Sequence, residues 1–225
     1  MLQPPVDAGT APVLHGPAEP LRACAALQAS GAVTTIFGAV DRLNALPLPV
    51  SAPCFVASLP RPLDVVATLS PISAQPGAGR RSPRVFLLNS GLVVSVAHEG
   101  VGASLIEFAE WTEARRTLKG ELEVPIAARL SRLAPLEHIQ RPSGVSSCGV
   151  CHRNETPHPS IDGGYVSEAY RPDPTTNVPL TEVATLHDGC AETDTSHRCL
   201  LLHALFDFGE LRPGAFSRSL SLFAP

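Results

Sequence analysis

Proline interrupts this chain at 23 of its 225 positions, about twice the usual ~5% share. Inside a helix a proline removes a hydrogen bond and clashes with the preceding turn. In a central strand it cannot donate to the ladder. The chain is therefore confined to short elements joined by turns. It still has material for a core, because 44% of its residues are hydrophobic and only 17% are charged, well away from the composition of a disordered polymer. Aromatics are 5%, so that core must be mainly aliphatic.

The apolar runs between the prolines are short. Residues 33–40 (VTTIFGAV), 53–60 (PCFVASLP) and 62–71 (PLDVVATLSP) are rich in β-branched or aromatic residues. Residues 84–100 read as two strands around Asn89, Ser90 and Gly91, a hairpin turn. Residues 104–111 alternate in part. Residues 117–126 alternate more cleanly, with Leu118, Leu122, Val124 and Ile126 set against Lys119, Glu121 and Glu123. This pattern predicts a mostly β fold, a sandwich or an open barrel, over residues 21–135. His98, Glu99, Glu107 and Glu110 read as a solvated loop beside polar strand faces.

Residues 136–225 predict a small, disulfide-stabilised region of loops and helices packed on that β unit. Residues 179–186 are a helix with Thr181 as its cap. Residues 196–209 are the strongest helix, capped by Ser196, ended by Gly209, and apolar at Leu201, Leu202, Leu205, Phe206 and Phe208. The alternating tail from Arg218 to Pro225 predicts a last edge strand. Residues 1–20, rich in Pro, Gly and Ala, read as a flexible lead-in. They have neither the basic nor the hydrophobic region of a signal peptide. Such a segment suits a protein that follows a removed signal or is lipid-anchored in its precursor.

Charge excludes further classes. Seventeen basic residues against 21 acidic ones give −4, and Lys119 is the single Lys. No basic face is implied, so nucleic acid is not an expected partner. No apolar stretch approaches the ~18 residues of a membrane-spanning helix. The zincin, nucleophile-elbow, dinucleotide-binding and phosphate-loop patterns are all missing.

The six cysteines stand at 24, 54, 148, 151, 190 and 199. An even number suits disulfides in an oxidising compartment, hence an exported protein, periplasmic or extracellular. The economical partition pairs Cys24 with Cys54 and Cys190 with Cys199, and leaves Cys148 and Cys151 as a functional pair. A cross-linking of Cys148 and Cys151 to Cys190 and Cys199 stays open.

Cys148, Gly149, Val150, Cys151 and His152 form the pattern CxxCH. Over these five residues the chain resembles the covalent attachment site of c-type cytochromes. The resemblance implies haem c, with Cys148 and Cys151 as the thioether residues and His152 as the proximal iron ligand. It also implies electron transfer or redox sensing with a redox partner protein or a small ligand. The loops on both sides depart from the usual pattern, and Met1, the only methionine, lies at the start of the chain. A second ligand would therefore be a histidine, from among His138, His158, His187, His197 and His203, with His187 or His197 preferred. Glu155 is a further candidate beside a haem or metal. Two other functions fit the same residues. One is a disulfide-stapled extracellular binding or structural domain without cofactor. The other is a zinc, copper or thiol-redox protein using the CxxCH cluster.

Overall fold

The structure, a computed structural model, describes residues 19–223. Most of the expected lead-in thus lies outside the described residues. Its last two residues open the first helix, α1 (Glu19–Ala25).

Two segments expected as strands are helices. Residues 33–40 hold the start of α2 (Ile36–Ala45), and residues 53–60 hold most of α3 (Ala52–Ala57). Local capping overrides β propensity in both. The Thr35 side chain accepts from Gly38 N at 3.0 Å, and Ile36 N donates to Glu110 Oε2 at 2.7 Å. Ile36, Ala39, Val40 and Leu43 then fall on one buried face at helical spacing. In α3 the Ser51 side chain accepts from Cys54 N, Pro53 sits in the first turn where it is tolerated, and all six residues are buried. Cys24 is disulfide-bonded to Cys54, tying α1 to α3.

The strands follow the alternating runs closely. β1 (Leu63–Thr68), β2 (Arg84–Asn89), β3 (Leu92–Ala97), β4 (Leu105–Glu113) and β5 (Arg116–Glu123) form a continuous antiparallel succession. Asn89 pairs with Leu92 across a two-residue turn, and Gly91 takes the positive φ of +90° that the turn needs. Later segments extend the same sheet. β6 (Thr156–Pro157) and β7 (Tyr165–Glu168) lie beyond β5, β9 (Asn177–Val178) pairs with β1, and β10 (Leu211–Pro213) runs parallel to β1. The result is a nine-stranded, mostly antiparallel sheet.

Alternation divides this sheet into two faces. Val85, Leu87, Val94, Val96, Ile106, Phe108, Leu118 and Leu122 belong to the main core, together with residues of α2, α3 and α6 (His197–Phe206). A short helix, α4 (Ala134–Ile139), crosses β5 on this side. A Cβ on Gly120 would stand 3.0 Å from Pro135 Cβ, so a side chain at this strand position would press the helix outward by a few tenths of an ångström. The opposite face carries Arg84, Phe86, Ser95, Glu107, Thr117, Lys119 and Glu121. Over it lie residues 141–152, β8 (Tyr170–Arg171) and β11 (Ser221–Leu222), which pairs with β8 as the expected terminal strand.

α5 (Leu180–Asp188) and α6 are the two helices expected near the end. Ser196 caps α6, its side chain accepting from Cys199 N. Thr181 does not cap α5: the first helical residue is Leu180, and Pro179 holds the capping position without a side-chain bond. A second disulfide, Cys190–Cys199, links the loop after α5 to the first turns of α6.

Candidate functional site

The four cysteines outside CxxCH are used up in two disulfides, and Cys148 and Cys151 are free thiols. The motif itself forms one tight helical turn. A 3-10 segment at Cys148–Val150 continues through His152, whose N–H donates to Cys148 O at 2.8 Å. Four residues of separation then put Cys148 and His152 on the same side.

Glu155, expected beside a haem or metal, instead anchors this turn from below. It accepts from Ser146 N at 2.8 Å and from Ser146 Oγ at 2.5 Å, and Ser146 Oγ accepts in turn from Cys148 N. A Cβ on Gly149 would lie 2.7 Å from Glu155 Oε1, so a side chain there would have to push the Glu155 carboxylate aside.

Cys148, Cys151 and His152 all line a cavity of about 280 Å³ on the polar sheet face. Ile72, Phe86, Leu105 and Phe223 supply apolar wall, and Arg84, Glu107, Glu121 and Arg141 supply charge. Arg84, Phe86, Glu107, Cys148, His152 and Tyr170 also border a second space of about 100 Å³ that reaches Lys119 and Trp111.

His152 stacks on Tyr170 with ring centres 5.4 Å apart and 25° between planes, and Phe223 closes the other contact at 6.0 Å. Its Nδ1 donates to Glu168 O at 2.8 Å, which fixes the tautomer and leaves Nε2 with a lone pair. Burial, with Lys119 nearby, pushes the imidazole down to about 3. The ring is therefore neutral across the ordinary pH range and ready to ligate.

Burial pushes the Cys148 thiol up to about 12, against the opposing pull of Lys119. Lys119 is itself lowered to about 8 by burial, and its Nζ donates to Thr117 Oγ1 at 2.6 Å. Arg84 is held by Glu107, Ser73 and Ser95, and its guanidinium lies over Phe86 at 4.4 Å. Glu107 and Glu110 are thus engaged groups and His98 is a buried one, at 1% exposure, instead of a solvated loop.

The structure brings together Cys148, Cys151 and His152, and places the five histidines expected as second ligands elsewhere. His197 Nε2 donates to Ala97 O at 3.1 Å. His187 and His203 meet Asp207 between α5 and α6. His138 pairs with Glu121 at 3.2 Å, and His158 Nδ1 accepts from Ser160 N. None of these five lines the cleft. Arg84, Glu107, Lys119, Tyr170 and Phe223 do line it. The sequence offered only one signal for them, the polar side of the 117–126 alternation. No helix among the described residues is long and apolar enough to cross a membrane.

No protein-family model, no curated protein and no solved structure matches this chain.

Proposed function

We propose that this chain is an exported c-type haem protein working in one-electron transfer or redox sensing, with Cys148 and Cys151 as the thioether residues and His152 as the proximal ligand. One observation carries the reading. After both disulfides are made, two free thiols remain beside an imidazole whose Nδ1 proton is spent on a backbone carbonyl, and all three side chains face one cleft. A metal-bound histidine ordinarily donates its other nitrogen in this way. The thiol raised to about 12 argues against a thiol-redox site, because the thiolate is the reactive form. Two disulfides fit an oxidising compartment.

A bound haem would supply reversible one-electron chemistry at iron. The chain does the rest. Glu168 O orients the His152 ring, and Tyr170 and Phe223 hold it by stacking. Ser146 and Glu155 fix the turn that spaces the two sulfurs. Arg141 brings positive charge to the cleft and suits an acidic substituent on a ligand, while Arg84 is paired with Glu107. The volume of about 280 Å³ falls just below the ~300–1,000 Å³ usual for small-molecule sites, so the chain would enclose part of a macrocycle and leave the rest to solvent. In the same reading the sheet is an open barrel in preference to a sandwich, since one hydrogen-bonded path runs from β10 to β6.

The test is the absorption of protein matured in a haem-competent host. A Soret band that survives acid–acetone extraction is expected, and the Cys148→Ala/Cys151→Ala variant should release its colour. A colourless wild-type protein with both thiols free would leave a disulfide-stapled binding domain as the better reading.

A further inference from the structure

Two helices at the far end of the chain bring three metal-ligating side chains together, away from the CxxCH cleft. His203 lies on α6 and Asp207 follows four residues later, so they share one side of the helix. His187 projects from α5 near its end. The Asp207 carboxylate sits between the two rings. Its Oδ1 is 2.7 Å from His187 Nε2, and its Oδ2 is 2.7 Å from His203 Nδ1. One donor atom from each residue lies within 4.8 Å of the others. The Cys190–Cys199 disulfide closes the intervening loop.

The outward nitrogens complete the pattern. His203 Nε2 donates to Ala191 O at 3.2 Å, and its Nδ1 meets Asp207 Oδ2 at 2.7 Å. His187 Nδ1 lies 3.6 Å from the exposed Asp188 carboxylate, while its Nε2 is hydrogen-bonded to Asp207 Oδ1 at 2.7 Å. Carbonyl and carboxylate partners on the remote nitrogens are what orients metal-binding histidines. Both inward ring nitrogens lie 2.7 Å from an Asp207 oxygen, at hydrogen-bond distance. Each gap must hold a proton or a shared cation. The carboxylate is 4% exposed and His203 is 1% exposed, so this negative charge is withdrawn from water and needs a positive partner.

We propose that His187 Nε2, His203 Nδ1 and the Asp207 carboxylate form a binding site for one divalent transition-metal cation of the zinc class. Two imidazoles and one carboxylate are a borderline donor set that suits zinc and its first-row neighbours better than calcium or magnesium. Bond lengths of about 2.0–2.2 Å place tetrahedral ligands about 3.3 Å apart. The rings therefore move outward by about 0.6 Å from the 2.7 Å spacing of the hydrogen-bonded cluster. Coordination displaces the bridging protons to solvent. Water fills the position that the protein leaves, through the side on which His187 is 13% exposed. The site is independent of whether haem occupies the CxxCH cleft.

The experiment is calorimetric titration of zinc chloride into the full-length, disulfide-intact protein after dialysis against chelator. One equivalent should bind with a Kd of roughly a micromolar or tighter. Asp207→Asn, nearly isosteric, should weaken that by roughly 100-fold or more. Cys148→Ser/Cys151→Ser should retain the equivalent. Failure of the wild type to bind zinc overturns the proposal, and so does binding that vanishes with the cysteine pair but survives Asp207→Asn. Should Asp207→Asn not fold, imidazole nitrogen NMR of the wild type decides. Zinc should shift His187 Nε2 and His203 Nδ1, and unmoved resonances at both overturn the assignment.

Discussion

His152 and His187 are both half-buried rings beside loops, yet their environments do opposite things to the same side chain. His152 faces a backbone carbonyl on one nitrogen and no carboxylate on the other, and burial strips it of its proton. His187 meets Asp207, which raises it above the ordinary imidazole range in spite of burial. The backbones differ in parallel. The CxxCH turn is held by side-chain bonds to Ser146 and Glu155 and keeps its thiols free. The α5–α6 pair is cross-linked and packed on an apolar cluster of Ala67, Val178, Val183 and Leu202. A neutral ring offered to a cleft suits a proximal ligand. A ring bonded to a buried carboxylate belongs to a site built around positive charge. The partner on each nitrogen decides the role more than the histidine does.

Packing should separate the two regions most strongly. Leu202 has 0% exposure under the helical pair, so Leu202→Ala should cost about 2–5 kcal/mol in chemical denaturation. Val150, within the motif, is 87% exposed, and Val150→Ala should stay within about 0.5 kcal/mol. Equal losses would break the contrast between a packed site and a surface turn.

The cross-link comes next. Cys190–Cys199 spans nine residues, and replacing both with Ser should lower stability by about 2–3 kcal/mol on the chain-entropy account. An unchanged midpoint would show that packing alone fixes the α5–α6 geometry.

A third ring sharpens the comparison through pH. Burial pushes His98 down to about 4, with Arg198 and His197 adding to the shift and its bond to Pro83 O opposing it. The unfolded chain takes this proton near pH 6.5, while the folded chain refuses it until about pH 4. Stability should therefore be independent of this group above pH 6.5 and fall as pH drops through that window, by about 1.4 kcal/mol per unit at most. His98→Gln should flatten the slope between pH 6 and 4.5 by about one proton. A variant with the wild-type slope would contradict a buried neutral His98.

How much of this was legible beforehand differs by residue. The alternation at 117–126 correctly separated Leu118 and Leu122 from Lys119 and Glu121, because strand periodicity is local. That the polar side is a covered cleft was not legible, because residues 141–152 fold back over it from far along the chain. Residues 33–40 misled because β-branched content spoke for a strand, while the Thr35 cap and a bond from Ile36 N to the distant Glu110 made a helix. The CxxCH spacing singled out Cys148, Cys151 and His152, but not the cleft that they line. Of the two cysteine partitions left open, the structure has Cys24–Cys54 and Cys190–Cys199, a choice that rests on contacts between separate elements. Asp207 left only a weak trace, the four-residue step from His203, since its other partner comes from a different helix.

The measurement closest to the centre of the account is the intact mass of correctly matured protein, taken before and after thiol alkylation under denaturing conditions. The account predicts one added mass of roughly 616 Da with no thiol left to alkylate at Cys148 or Cys151. A bare polypeptide mass with both of those thiols alkylated, or with the two joined to each other, would contradict it.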